Sequence, residues 1–251
     1  MFASIFWWIY TGWVWFYTCA SFTLHALIVW SVGWMVKDRT AFAIKATYPF
    51  FWGTFNLLGM GVKVFGAHNV PDPSQNFIVI SNHQSLIDIP VLIYGLSRPI
   101  SFIAKDELLR IPVLGWDIRS QGHVSINRHD PRSAVVTLKR VEQLLESGRS
   151  FVLFPEGTRS VDGKIGDFKK GAFMMAVNTG TTILPCYIGD SMKLLHKRSL
   201  RMHPGMVKLV VGKPIPVPKY TNSQDAKQAA AALSEQCHAV LVQMQRDSVT
   251  M

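Results

Sequence analysis

In the stretch ISNHQSLIDIP, residues 80–90, two side chains can handle a proton together: His83 and, five positions on, Asp88. On a regular helix five residues turn through about 500°, which would point the two about 140° apart. They meet only if the chain turns between them. The strand-like run ending near Ser81 and the proline at Pro90 favour such a turn. A carboxylate that holds one imidazole nitrogen fixes the tautomer and leaves the other nitrogen as a general base. With eight histidines in the chain, the spacing alone arises readily by chance, and a histidine satisfied within a turn is the plain alternative.

A second stretch has the same design. FVLFPEGTRS, residues 151–160, is an apolar run that opens into Pro155, Glu156, Gly157, Thr158 and Arg159. A strand leading into a glycine-containing turn with an acid and an arginine makes a loop that reads anions. A nucleotide-binding loop is excluded. Five residues separate Gly157 from Gly163-Lys164 where four are required, and Ile165 stands where Ser or Thr would bind a metal ion. A serine hydrolase needs an activated nucleophile, and no Gly-x-Ser-x-Gly occurs. Ser85, two residues from His83, leaves an acyl-serine intermediate open, and a non-catalytic, membrane-tethered lipid-binding protein is a third reading.

These two stretches, in this order and about 70 residues apart, resemble the glycerolipid acyltransferase family, specifically the 1-acyl-glycerol-3-phosphate (lysophosphatidate) acyltransferases. Asn82, His83 and Asp88 match the family's Asn-His-x4-Asp run, and Pro155 to Arg159 its Pro-Glu-Gly-Thr-Arg run. Between them GHVSINR supplies the family's Gly122 and Arg128, although Ser125 and Asn127 replace its usual bulky apolar and acidic residues. Leu184-Pro185 fits a fourth motif, and FIAKDEL contributes Lys105. The resemblance covers residues 60–220.

The resemblance implies roles. His83 would take the proton of the lysolipid sn-2 hydroxyl as it attacks an acyl thioester, and Asp88 would orient His83. Arg159, Lys105 and Arg128 would hold the glycerol phosphate, with Thr158 beside them. Glu156 would position the glycerol backbone or support Arg159, and the amides of the Gly157 turn would face the oxyanion. His123 and His129 are expected to be structural or surface residues. The donor would be acyl-CoA or acyl-carrier protein and the acceptor lysophosphatidate. Other lysophospholipids, glycerol-3-phosphate or an ornithine lipid are alternative acceptors. Such a transfer needs no cofactor and no metal.

The elements that must position these residues alternate along the chain. Strand patterns occur at 77–81, 100–104, 123–127, 150–154, 182–188 and 207–212, and helix patterns at 131–147, 169–179 and 223–246. This predicts a single α/β domain, a central sheet flanked by helices, over residues 67–251.

Residues 1–66 read as a membrane anchor. The first 36 residues carry no Lys, Arg, Asp or Glu and hold six of the eight tryptophans. As one helix they would extend roughly 54 Å against a hydrocarbon core of about 30 Å, so the segment either spans with its ends in the headgroups or bends. Residues 40–66 are again apolar and aromatic but interrupted by Lys45, Pro49 and Asn56, as in a helix lying at the interface. A two-helix anchor is the expectation. Lys37 and Arg39 follow the apolar run at once, which puts the remaining chain on the cytoplasmic side, at the inner membrane in a bacterium. The net charge of +10 lies wholly in residues 37–251 and favours anionic membrane lipids and anionic substrates. No nucleic-acid-binding module accompanies it. Cys19, Cys186 and Cys237 are too widely spaced for a zinc site or a disulfide framework.

Overall fold

The computed structural model describes residues 2–127 and 130–251. Arg128 and His129 lie outside the described residues, and with them one of the three cations expected at the phosphate.

The expected α/β domain forms around seven strands: β1 (Met60–Phe65), β2 (Ile78–Ser81), β3 (Ile100–Lys105), β4 (Val124–Ile126), β5 (Ser150–Leu153), β6 (Ile183–Gly189) and β7 (Gly205–Val211). Their order in the sheet is β1-β7-β6-β2-β5-β3-β4, and all neighbours are parallel except β6 and β7. Strands buried on both faces need apolar side chains at every position, which explains the unbroken Ile-Val-Ile of β2 and the Phe77 just before it. Ile78 and Ile80 pack with α5 (Pro131–Glu146), α6 (Gly171–Thr179) and α8 (Ser223–Asp247). Val79 points the other way, into a core shared with α2 (Arg39–Leu57) and α3 (Asp88–Leu96). The centre of the sheet, directly under the loops that follow β2 and β5, is therefore its most deeply packed part.

Local signals set the helix ends. The Asp130 carboxylate accepts the Arg132 amide at 2.9 Å and Pro131 opens α5, while Asn222 caps α8 by accepting the Gln224 amide at 2.9 Å. Gly148 and Gly180, at φ +91° and +69°, stop α5 and α6 in the left-handed conformation. Among the described residues three helices went unread in the sequence, the shortest being α7 (Ser191–Leu194). α3 begins at Asp88 itself, with Pro90 in its first turn, where a missing N–H does no harm. α4 (Leu114–Ser120) is short and follows a 3₁₀ turn at Asp106–Arg110.

The N-terminal segment is a helical hairpin, α1 (Phe2–Val32) followed by α2. The two run antiparallel, because Tyr10 donates to the Leu58 carbonyl at 2.6 Å while His25 lies 3.1 Å from the Ala46 carbonyl. Between them Gly53 approaches Tyr17 so closely that a Cβ there would sit 2.2 Å from the hydroxyl. The apolar segment expected to run helically to residue 66 ends earlier. Gly59, at φ +67°, turns the chain, and Met60–Phe65 joins the sheet as β1 beside β7. Its Val62-Lys63-Val64 alternation is a strand pattern hidden inside a longer apolar run.

α1 is long and apolar enough to cross a membrane. It nevertheless touches the domain at positions fourteen residues apart, about 21 Å along its axis. Thr11 and Trp15 hydrogen-bond to Met202 and Leu200, and His25 Nε2 lies 3.2 Å from Asp117 Oδ1 in α4. The opposite face, including Phe6, Ile9, Trp13, Phe16, Leu27 and Trp30, is exposed.

Candidate active site

β2 and β5 are parallel neighbours in register, Ile80 beside Leu153, so the chain leaves both strands at the same edge of the sheet. That edge, beyond the carboxyl ends of parallel strands, is where α/β sheets place their ligand sites. The two chemically suggestive stretches are therefore adjacent although about 70 residues apart in sequence.

After Ser81 the chain turns back on itself before α3. The buried Asn82 fixes the start of this turn by exchanging hydrogen bonds with the backbone of Ile188 in β6, accepting at 2.7 Å and donating at 2.9 Å. Within the turn, His83 Nδ1 comes 2.7 Å from Asp88 Oδ2, the contact that a regular helix forbids. The same oxygen accepts the amides of Gln84 at 2.6 Å and Ser85 at 2.8 Å. Asp88 is fully buried and its Oδ1 has no partner among the described residues. Two amides already donate to Oδ2, which makes it an acceptor, so Nδ1 facing it carries the proton. The lone pair is left on Nε2. The ring is 17% exposed and lies flat on Phe154, with centroids 4.0 Å apart and planes 15° from parallel.

The second loop braces the first. Glu156 Oε1 accepts the backbone amide of His83 at 2.9 Å, and Oε2 accepts that of Gly166 at 3.0 Å. The Ser160 amide donates to the His83 carbonyl at 2.7 Å. Burial pushes the Glu156 carboxyl above its ordinary value, against the pull of the two amides. Both oxygens serve backbone groups of the loops, so the side chain braces His83 and makes no ion pair with Arg159. Gly157 sits at φ +72°, a conformation suited to glycine, and its N–H donates to the Phe154 carbonyl at 3.0 Å. That amide, expected to face an oxyanion, is used within the turn instead.

Ser85 is fully buried, and its hydroxyl donates to the Leu195 carbonyl at 2.7 Å. It is a brace between loops and is not presented to a substrate, which argues against an acyl-serine route.

The chain matches, over residues 61–189, the family model described as Acyltransferase. It belongs to that acyltransferase family. It is 38% identical over 169 residues to the chloroplastic 1-acyl-sn-glycerol-3-phosphate acyltransferase LPAT1 of Arabidopsis thaliana, covering 67% of this chain and 45% of that one. It is 31% identical over 208 residues to the human 1-acyl-sn-glycerol-3-phosphate acyltransferase alpha, covering 82% and 70%. The crystal structure of PlsC, the 1-acyl-sn-glycerophosphate acyltransferase of Thermotoga maritima, superposes with a TM-score of 0.80 at 30% identity over 95% of this chain and 97% of that one. The chain spans about half the length of the plant and algal relatives it matches.

Within this acyltransferase frame the structure brings together His83, Asp88, Glu156 and the Gly157–Arg159 turn. Lys105 stands at the end of β3, at the same edge of the sheet and beyond β5. Its ammonium pairs with Glu107 at 2.9 Å. His123 packs against β3: its ring lies 3.8 Å from that of Phe102 and its Nδ1 is buried. Three contributors were missed. Phe154 carries the imidazole, and an aromatic residue ending a strand gives no sign of that. Gln245 of α8 donates to the Gly163 carbonyl at 2.8 Å and anchors the far side of the loop. Lys197 contacts Thr158 at 3.2 Å and also the Arg159 carbonyl, from a segment that no motif marks.

Proposed function

We propose that this protein transfers a fatty acyl group from an acyl thioester, acyl-CoA or acyl-carrier protein, to the sn-2 hydroxyl of lysophosphatidate, giving phosphatidate. The observation that carries the reading is the His83–Asp88 contact, which leaves Nε2 as the basic nitrogen at the edge of the sheet. Nε2 takes the hydroxyl proton while the oxygen attacks the thioester carbonyl carbon. The tetrahedral intermediate then expels the thiolate as the C–S bond breaks, and the imidazolium returns the proton to the sulfur. Asp88 stabilises the imidazolium between these two transfers. Phe154 and the Glu156 brace hold the ring and its backbone in place, so little reorganisation accompanies proton transfer.

Arg159 reads the acceptor phosphate, with Lys105 and Arg128 as further cations and Thr158 as a neutral donor beside them. A guanidinium suits a phosphate monoester because it can donate two parallel hydrogen bonds. The names of the relatives support lysophosphatidate above other lysophospholipids, glycerol-3-phosphate or an ornithine lipid.

The exposed apolar face of α1, with Trp52 and Leu57 of α2, is the membrane anchor. Because α1 is docked on the domain at both Thr11 and His25, the hairpin lies along the domain and inserts that face into one leaflet. Lys37, Arg39 and Lys45 put the site on the cytoplasmic side, where the basic domain meets anionic lipids.

The test is acyl transfer by detergent-purified protein from labelled acyl-CoA and from acyl-carrier protein, with lysophosphatidate, lysophosphatidylcholine and glycerol-3-phosphate as competing acceptors. Preferential formation of phosphatidate is the expected result. Equal use of lysophosphatidylcholine would remove the phosphate-monoester reading, and no transfer to any acceptor would overturn the enzyme assignment.

A further inference from the structure

The segment between α7 (Ser191–Leu194) and β7 closes on itself through an antiparallel bridge between Leu195 and Met202. Contacts on its two sides run in opposite directions. Toward the site, the Leu195 carbonyl accepts the Ser85 hydroxyl of the first loop, and Lys197 Nζ donates to Thr158 Oγ1 and to the Arg159 carbonyl of the second. Toward the anchor, Trp15 Nε1 donates to the Leu200 carbonyl at 2.8 Å. Thr11 Oγ1 accepts the Met202 amide at 3.2 Å and lies 3.4 Å from its carbonyl. One closed loop thus joins the membrane-facing helix to both catalytic loops.

We infer that the 195–202 loop is a strut through which α1 holds the acceptor-binding turn, and that Lys197 is the positioning residue at its tip. This rests on the reading of Arg159 as the acceptor's phosphate contact. The physical case is specific. The backbone of residues 158–159 must be fixed for the Arg159 guanidinium to meet a phosphate in two-point geometry. Lys197 supplies charge-assisted bonds to a side-chain and a main-chain oxygen of that backbone. An ammonium has three donors, so one N–H of Lys197 stays available after these two contacts. Among the described residues no other cation hydrogen-bonds to these two oxygens. The loop's other end is tied to α1 by groups lying beside the exposed Trp8, Trp13 and Phe16. Seating α1 in a leaflet therefore seats the acceptor turn at a fixed depth, where a lysolipid headgroup arrives.

The experiment compares wild type with Lys197→Met, Lys197→Arg and the double variant Thr11→Val with Trp15→Phe, in vesicles containing lysophosphatidate. Lys197→Met should raise the acceptor KM about tenfold or more, the weight of a charge-assisted hydrogen bond, with kcat and the donor KM unchanged. Lys197→Arg keeps donors for both oxygens and should stay near wild type. The anchor-side double variant should raise the acceptor KM in the same selective way. An unchanged acceptor KM in Lys197→Met, or a loss confined to kcat, would overturn the role of Lys197. A wild-type KM in the double variant would overturn the coupling to α1. Amide hydrogen exchange over residues 156–160 supplies a readout that needs no turnover. Faster exchange in Lys197→Met and in the double variant is expected, and wild-type exchange in both would overturn the strut even if lysophosphatidate proved not to be the acceptor.

Discussion

The imidazole of His83 rests on the ring of Phe154, 4.0 Å away and 15° from parallel, so the histidine of one loop is carried by the residue that directly follows the neighbouring strand β5. The hydrogen bond to Asp88 fixes one end of the ring, and Phe154 fixes its plane. Phe154→Ala should therefore leave the His83–Asp88 bond intact but let the ring tilt. Because small displacements of a reacting group can cost up to about 10²-fold in rate, kcat should fall by about 10- to 100-fold with little change in either KM. Steady-state kinetics of the purified variant checks this. A change in KM alone would remove Phe154 from the catalytic geometry.

Asp88→Asn keeps the size of the side chain and one oxygen able to accept the Gln84 and Ser85 amides. It removes the charge that Nδ1 faces. The variant should fold with nearly the wild-type melting temperature yet lose about 10²- to 10⁴-fold in kcat, the usual span for a disabled general base. Thermal unfolding and rate measurements on the same preparation separate the two effects.

This dyad was legible for a particular reason. Five-residue spacing says nothing alone, but a strand before it and a second strand-loop of matching design reduced the choices. The sheet then supplied what sequence could not: that β2 and β5 are neighbours, in register, with their loops side by side. β1 was hidden because Met60–Phe65 is apolar enough to pass as the end of a helix, and only pairing with β7 distinguishes it. α3 was hidden because Pro90 reads as a breaker unless the helix start is known. Lys197 was invisible for a deeper reason. Its contacts with Thr158 and Arg159 span nearly forty residues, and no local pattern marks a lysine that reaches across a loop.

His25 and Asp117 form a buried pair where α1 meets α4, 3.2 Å apart and 3% and 5% exposed. Gln121 also donates to the carboxylate, at 2.6 Å. Removing the imidazole leaves Asp117 Oδ1 without this hydrogen bond, although Gln121 still serves Oδ2. His25→Leu should cost about 1–3 kcal/mol, read as a drop in the denaturation midpoint, and adding Asp117→Leu should recover much of it. A double variant no more stable than His25→Leu would show that the pair is not coupled.

His123 gives the stability a defined pH dependence. Burial, reinforced by the nearby Arg149 guanidinium, pushes its ring down from 6.5 to about 3. In the unfolded chain the ring takes up its proton near the ordinary value, so the unfolded state binds more protons throughout the interval between the two. Stability is therefore full above about 6.5 and declines as pH falls toward 3, by at most about 1.4 kcal/mol per pH unit. His123→Phe should flatten this part of the profile. Parallel profiles for variant and wild type between pH 6.5 and 4 would contradict the assignment.

The most direct test of the central claim is the rate of acyl transfer from acyl-CoA to lysophosphatidate by His83→Ala beside wild type, at matched protein and detergent. The dyad predicts a loss of at least about 10²-fold in kcat, with the fold retained by circular dichroism. Equal rates would contradict it.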